Sequence, residues 1–191
     1  MYAVGILPDI NDMGFLDFLN FPQKHHGNNY VVEKSCISST NISSIEVCSD
    51  NIDITIVKAD GPSIRYTICL RQGFTKEDLD FELTTEGSLV KFSLHCKKNN
   101  MEGELKLEIP DTVKVLSIEN LNGDVSSSIR QFDEFSINVS NGDISIKIPK
   151  NLYKITKNTI NGDINCSIES KNDSNKTLSC QSINGDISIR E

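Results

Sequence analysis

The stretch Phe135-Ser136-Ile137-Asn138-Val139-Ser140-Asn141-Gly142-Asp143-Ile144-Ser145-Ile146 decides the fold. Apolar and polar residues alternate up to Asn141 and again from Ile144, which is the period of a half-buried β-strand. Inward residues sit at even offsets before Asn141 and at odd offsets after it. The pleat therefore reverses phase at Asn-Gly-Asp, as it must at a corner whose two strands face one core. Asn and Gly also tolerate the positive φ that a tight corner needs.

The tripeptide recurs. Asn122-Gly123-Asp124, Asn141-Gly142-Asp143, Asn161-Gly162-Asp163 and Asn184-Gly185-Asp186 follow one another at spacings of 19, 20 and 23 residues. Val125, Ile144, Ile164 and Ile187 come next in turn. Six residues before each Asn stand Leu116, Phe135, Ile155 and Leu178; four before stand Ile118, Ile137, Lys157 and Cys180. Five after stand Ser127, Ile146, Cys166 and Ile189. A weaker fifth copy, Ile45, Val47, Asn51, Asp53, Ile54 and Ile56, keeps these offsets but carries Ile52 in place of Gly. Leu107-Glu108-Ile109-Pro110 and Ile146-Lys147-Ile148-Pro149 lead into the first and third tripeptides with the same Pro-to-Asn distance of 12. Proline lacks a donor, so each closes a strand.

One such unit cannot bury its own apolar stripe, whereas stacked units bury Ile on Ile. The reading is an all-β chain: a parallel β-solenoid, a single-stranded β-helix with rungs ~4.8 Å apart, right-handed by the general crossover rule. Successive copies are expected to stack in sequence order. The solenoid is assigned to residues 31–191, with the clearest repeats over 105–191. An antiparallel sandwich with Asn-Gly hairpins is the competing architecture, but it does not account for the matched flanks. Within 60–104, Ile64, Tyr66, Ile68 and Leu70 alternate, and Phe81, Leu83, Val90, Phe92 and Leu94 flank Thr85-Glu86-Gly87-Ser88. Longer rungs and a hairpin both fit that segment. The polar run Lys171–Lys176 accounts for the longer last spacing.

Residues 1–30 differ in character. Phe15, Leu16, Phe18 and Leu19 have helical spacing, with Asp12 as N-cap and Pro22 as stop. The segment reads as a short helical or irregular cap over the open end of the stack, running into a linker. Asp9, Asp12 and Asp17 give it the wrong sign for an anionic membrane surface.

The 191 residues suit one domain. Lys plus Arg number 19 and Asp plus Glu 27, for a net charge of −8. That balance excludes sequence-blind nucleic-acid binding and docking to anionic headgroups. No apolar run is long enough for a membrane helix, so membrane contact is not encoded in this stretch. Only two Ala occur while Ile, Asn and Ser abound, a composition that favours strands over helices.

The four Asn-Gly-Asp corners, the Ile-Pro lead-ins and the weaker first copy together resemble the bacterial DUF4097 family, whose members are described as β-strand-repeat proteins or provisional adhesins. The resemblance spans roughly residues 40–191. It implies the repeat fold and carries over no enzymatic activity. It also implies a bacterial protein, cytoplasmic or tied to the cell envelope.

The corners are the leading candidate site. In register, Asp124, Asp143 and Asp163 would stand above one another with Asp186 next. Charges ~4.8 Å apart in water repel by roughly 0.9 kcal/mol, and such a row could take a hard cation. The structural reading is preferred: the Asn side chains form a ladder and each Asp bonds its own turn amide. Cys36, Cys48, Cys69, Cys96, Cys166 and Cys180 contain no C-x-x-C pair, so no zinc site is expected. Cys166 and Cys180 lie on different sides of a rung and are expected to remain thiols in a reducing interior. His25, His26 and His95 read as solvent-exposed, and no phosphate-loop or hydrolase motif is present. The expected function is a non-catalytic scaffold or binding module for a protein or glycan, without cofactor. The alternative is a polysaccharide-active or cation-binding β-helix that uses the Asp column. The final Ile187-Ser188-Ile189-Arg190-Glu191 strand suggests an edge-to-edge homodimer.

Overall fold

A computed structural model describes residues 29–98, 100–128 and 132–191. The expected helix and cap within 1–30, with His25 and His26, lie outside the described residues apart from the last two positions. The strands are β1 (Asn29–Ser38), β2 (Ser44–Lys58), β3 (Ser63–Arg71), β4 (Leu79–Glu86), β5 (Leu89–Cys96), β6 (Gly103–Ile109) and β7 (Val115–Asn122). They continue as β8 (Val125–Ser127), β9 (Glu134–Asn141), β10 (Ile144–Lys147), β11 (Lys154–Asn161), β12 (Ile164–Cys166), β13 (Thr177–Asn184) and β14 (Ile187–Arg190).

Each tripeptide joins a strand of a first sheet to a strand of a second. The first sheet runs β4-β5-β2-β7-β9-β13-β11. The second runs β1-β3-β6-β2-β8-β10-β14-β12. β2 passes through both, because the fifth copy turns its corner inside one continuous strand and Ile52 points into the core there. All junctions between copies are parallel and in register. In the second sheet Ile54, Val125, Ile144, Ile187 and Ile164 form one column; in the first, Ile45, Leu116, Phe135, Leu178 and Ile155 form another. Ile45, Val125, Ile144 and Ile187 are all 0% exposed. Full burial of such a side chain contributes about 1.5–3 kcal/mol. The connections after β8, β10 and β12 cover the remaining side of the core with Phe132, Ile148, Tyr153 and Ile168. β6 ends at Ile109 and β10 at Lys147, so both Ile-Pro steps do lie at strand ends.

The copies stack in phase but not in sequence order. The fourth copy, β13 and β14, lies between the second and the third. Ile144 and Ile164 are therefore not neighbours, because Ile187 separates them. This corrects the simple sequential solenoid. In the inward column Val47, Ile118, Ile137, Cys180, Lys157 the one charged residue stands on the outermost rung. Lys157 is tolerated where one side is open to water and not where a rung covers it. The connection 167–176 carries the chain back by one slot. It is held by Lys171 N–H donating to Tyr153 O (2.8 Å) and Thr177 N–H donating to Asp133 O (2.8 Å). The C-terminal β14 is thus an interior strand, and the free edges at this end belong to β11 and β12. A dimer edge at Ile187–Arg190 is corrected accordingly.

Residues 60–104 hold both kinds of pairing: β5 and, from Gly103, β6 lie parallel to β2, whereas β4 and β3 run antiparallel against them. β4 and β5 form a hairpin across Gly87, whose φ is 63°. β3 pairs antiparallel with both β1 and β6. The all-parallel stack is therefore narrower than residues 31–191: beyond β2 each sheet adds one parallel strand, β5 or β6, before its antiparallel pairings. Here Tyr66 packs against Phe81 and Phe92, with ring centroids 5.6 and 5.4 Å apart.

At the interior corners glycine is required by space as well as by φ. Gly142 has a φ of 152°, and a Cβ there would stand 2.2 Å from the Gly123 carbonyl oxygen. The Gly142→Ala variant is expected to lose about 2 kcal/mol or more of stability, read as a lower urea midpoint. Gly87→Ala, where a Cβ meets nothing within 4 Å, should lose less.

Candidate functional site

The corner column carries two hydrogen-bond ladders that run through all five copies. In the first, Asn122 Nδ2 donates to Asn51 Oδ1 (2.6 Å), Asn141 to Asn122 (2.7 Å), Asn184 to Asn141 (2.6 Å) and Asn161 to Asn184 (2.8 Å). In the second, the main-chain N–H of Asp124 donates to Asp53 Oδ1, that of Asp143 to Asp124, that of Asp186 to Asp143 and that of Asp163 to Asp186, each at 2.8 Å. Asp53, Asp124, Asp143 and Asp186 thus each serve the next rung and not their own turn amide. The reason is that the glycine N–H is already taken: Gly142 donates to Asn184 O and Gly185 to Asn161 O.

The acidic row reads Asp53, Asp124, Asp143, Asp186, Asp163. The trio Asp124, Asp143 and Asp163 is not contiguous, since Asp186 interrupts it. Among the described residues no group of three His, Cys, Asp or Glu is placed to share a metal ion. At the foot of the row, Asp53 and Glu102 line a cleft of about 340 Å³ together with Asn51, Asn122 and Gly123. Burial pushes the Asp53 carboxyl above its usual range; the Asp124 N–H bond opposes this, and the charges of Asp124, Glu104 and Glu102 reinforce it.

The outer face of the first sheet is a second candidate. The repeat alternation places three rows there. Ser117, Ser136, Ser179 and Thr156 form a hydroxyl row; Glu119, Asn138, Gln181 and Asn158 form a carboxylate–amide row. Beside the corners stand the exposed Leu121, Ile183 and Ile160. Two adjoining clefts of about 350 and 300 Å³ share Cys48 and Glu119. One also reaches Lys91 and Ser93; the other reaches Asp50 and Asn138.

Ser93, His95 and Asp50 form a linked trio on this face. His95 Nε2 lies 3.1 Å from Ser93 Oγ, and its Nδ1 lies 3.2 Å from Asp50 Oδ2. Sequence reasoning missed it, because it joins β5 to a strand some forty residues away. The signal present was the shared phase of Ser93 and His95. β5 is paired on both sides, so its N–H groups do not form an oxyanion pocket beside Ser93. Cys48 is no better poised, as burial first and then Glu119 and Asp50 raise its thiol pKa.

All six cysteines are free thiols. Cys180 is buried, and burial pushes its thiol up to about 12. Cys166 is only half-buried because its rung is the outermost.

The ladder predicts a position-dependent cost. Asn141→Ala removes two amide bonds and should lose about 2 kcal/mol; Asn161→Ala at the end removes one and should lose about half of that. Equal losses by chemical denaturation would contradict this. For Asp53 the sign follows from its raised folded pKa. The folded state takes up the proton first, so stability is fullest below the unfolded pKa and declines as pH rises through the folded one. Asp53→Asn should therefore be more stable than wild type at neutral pH. The advantage should vanish under acid conditions, as read by thermal melts across pH.

No family model and no curated protein matches the chain. A solved structure described provisionally as a cell adhesion protein from Clostridium sporogenes is similar, with a TM-score of 0.59 at 9% identity over 83% of this chain and 97% of that one. A provisional adhesin from Parabacteroides merdae gives a TM-score of 0.24 at 11% identity over 86% and 97%. A provisional lipid-binding protein from Parabacteroides distasonis gives 0.26 at 14% over 86% and 96%. The first of these likenesses shows a shared all-β fold across most of both chains.

Proposed function

We propose that the chain is a non-catalytic binding module, an adhesin-like β-solenoid of the DUF4097 kind, that meets a glycan of the bacterial cell envelope. The observation that supports this most is the outer face of the first sheet. Rows of hydroxyl and of carboxylate or amide groups repeat there at each ~4.8 Å rung step. A polymer lying across the strands meets the same pair of groups again and again. Amides donate and accept, and carboxylates accept, in the geometry that vicinal hydroxyls require. The exposed Leu121, Ile183 and Ile160 beside them supply aliphatic surface for the apolar face of a sugar ring. The net charge of −8 favours neutral or cationic glycans over anionic ones.

The test is a glycan array read with the full chain and with Asn138→Lys/Gln181→Lys, two exposed positions outside the core. The expected result is retention of neutral or amino sugars by wild type, weakened about tenfold or more by the double variant. Binding that the double variant leaves unchanged would move the site off this face. An array without wild-type signal would overturn the glycan reading.

A further inference from the structure

The corner chemistry does not say which copy follows which. Every junction repeats the same Asn–Asn bond and the same Asp–N–H bond at nearly the same lengths. Gly142, Gly162 and Gly185 each lie against a glycine carbonyl of the neighbouring rung, whichever copy supplies it. The hydroxyl bonds behind the corners are equally exchangeable. Ser182 Oγ donates to Gly142 O (3.2 Å) and Thr159 Oγ1 to Gly185 O (2.9 Å), so either could serve under the other's neighbour. By its main-chain and corner bonds alone, the chain fits the order second–third–fourth as well as the observed second–fourth–third.

The inward side chains differ. At the position four before Asn, the fourth copy has Cys180, which is 0% exposed between Ile137 and Lys157. The third copy has Lys157, exposed on the outermost rung. In the sequential order Lys157 would be enclosed between Ile137 and Cys180. Its ammonium would then face the apolar columns that contain Phe135 and Ile146, with no carboxylate among these inward positions. An unpaired buried ammonium is strongly unfavourable.

We infer that Lys157 is the residue that selects the rung order: it forces the third copy to the outside and so opens the slot that the fourth copy fills. One charged side chain thereby chooses between two packings of the same sequence.

The experiment uses the full-length chain in a Cys48→Ser background, refolded from denaturant and then mildly oxidised. Asn138, Gln181 and Asn158 lie in one outward row, in that order. Neighbouring positions are one strand spacing apart and can be bridged. Asn138 and Asn158 are two spacings apart, roughly 9.6 Å, and cannot be. With Lys157 in place, the N138C/Q181C pair should close and the N138C/N158C pair should stay open. Adding Lys157→Ile should raise N138C/N158C closure about tenfold or more, while Lys157→Arg should leave it open. The N158C/Q181C pair, whose positions are neighbours in either order, placed in the same Lys157→Ile chain reports whether a stack forms at all. Closure of N138C/N158C with Lys157 present would overturn the inference, as would a folded Lys157→Ile chain in which that pair remains open.

Discussion

The structure depends on register at the corner. An amide bond between asparagines, a carboxylate bond to the next main-chain N–H, and a glycine pressed against the neighbouring glycine's carbonyl all act within three residues. Sliding a rung by one residue would break both bonds and place a side chain where only a hydrogen fits. The corner therefore fixes how rungs align, and the apolar columns on both sheets align as a consequence. Hydrophobic burial provides most of the driving force, but it does not by itself distinguish one in-phase alignment from the next.

This division explains what could be read from the residues. Phase, corner and inward set were legible because they repeat: Leu116, Phe135 and Leu178 are buried where the offsets put them. Rung order was not legible from the repeat, since the repeating part is indifferent to it. The clue lay in a departure from the pattern, Lys157 at an inward offset, whose meaning depends on knowing that an outermost position exists. The hairpin β4–β5 was ambiguous for a related reason. Alternation alone does not separate a strand that pairs with its sequence neighbour from one that pairs with a distant rung.

The candidate site was legible in part. The corner residues were found, but the Asp side chains bond across rungs because the glycine N–H is already engaged, a competition that sequence does not display. The Ser93, His95 and Asp50 trio depends on a parallel pairing between β2 and β5 that no local pattern announces. Conversely, the outward rows follow directly from alternation. Every residue not facing the core on a regular rung is displayed at a fixed spacing, so core and outer face are written by the same repeat.

The interleaved order also has a kinetic meaning. The second and fourth copies meet across a separation of 43 residues, where a sequential stack would need about 20. The third copy cannot reach its final place by zipping onto the second, because the fourth must come between them. Beyond the second copy the stack therefore does not grow in chain order, because the fourth copy must be in place before the third has its neighbour.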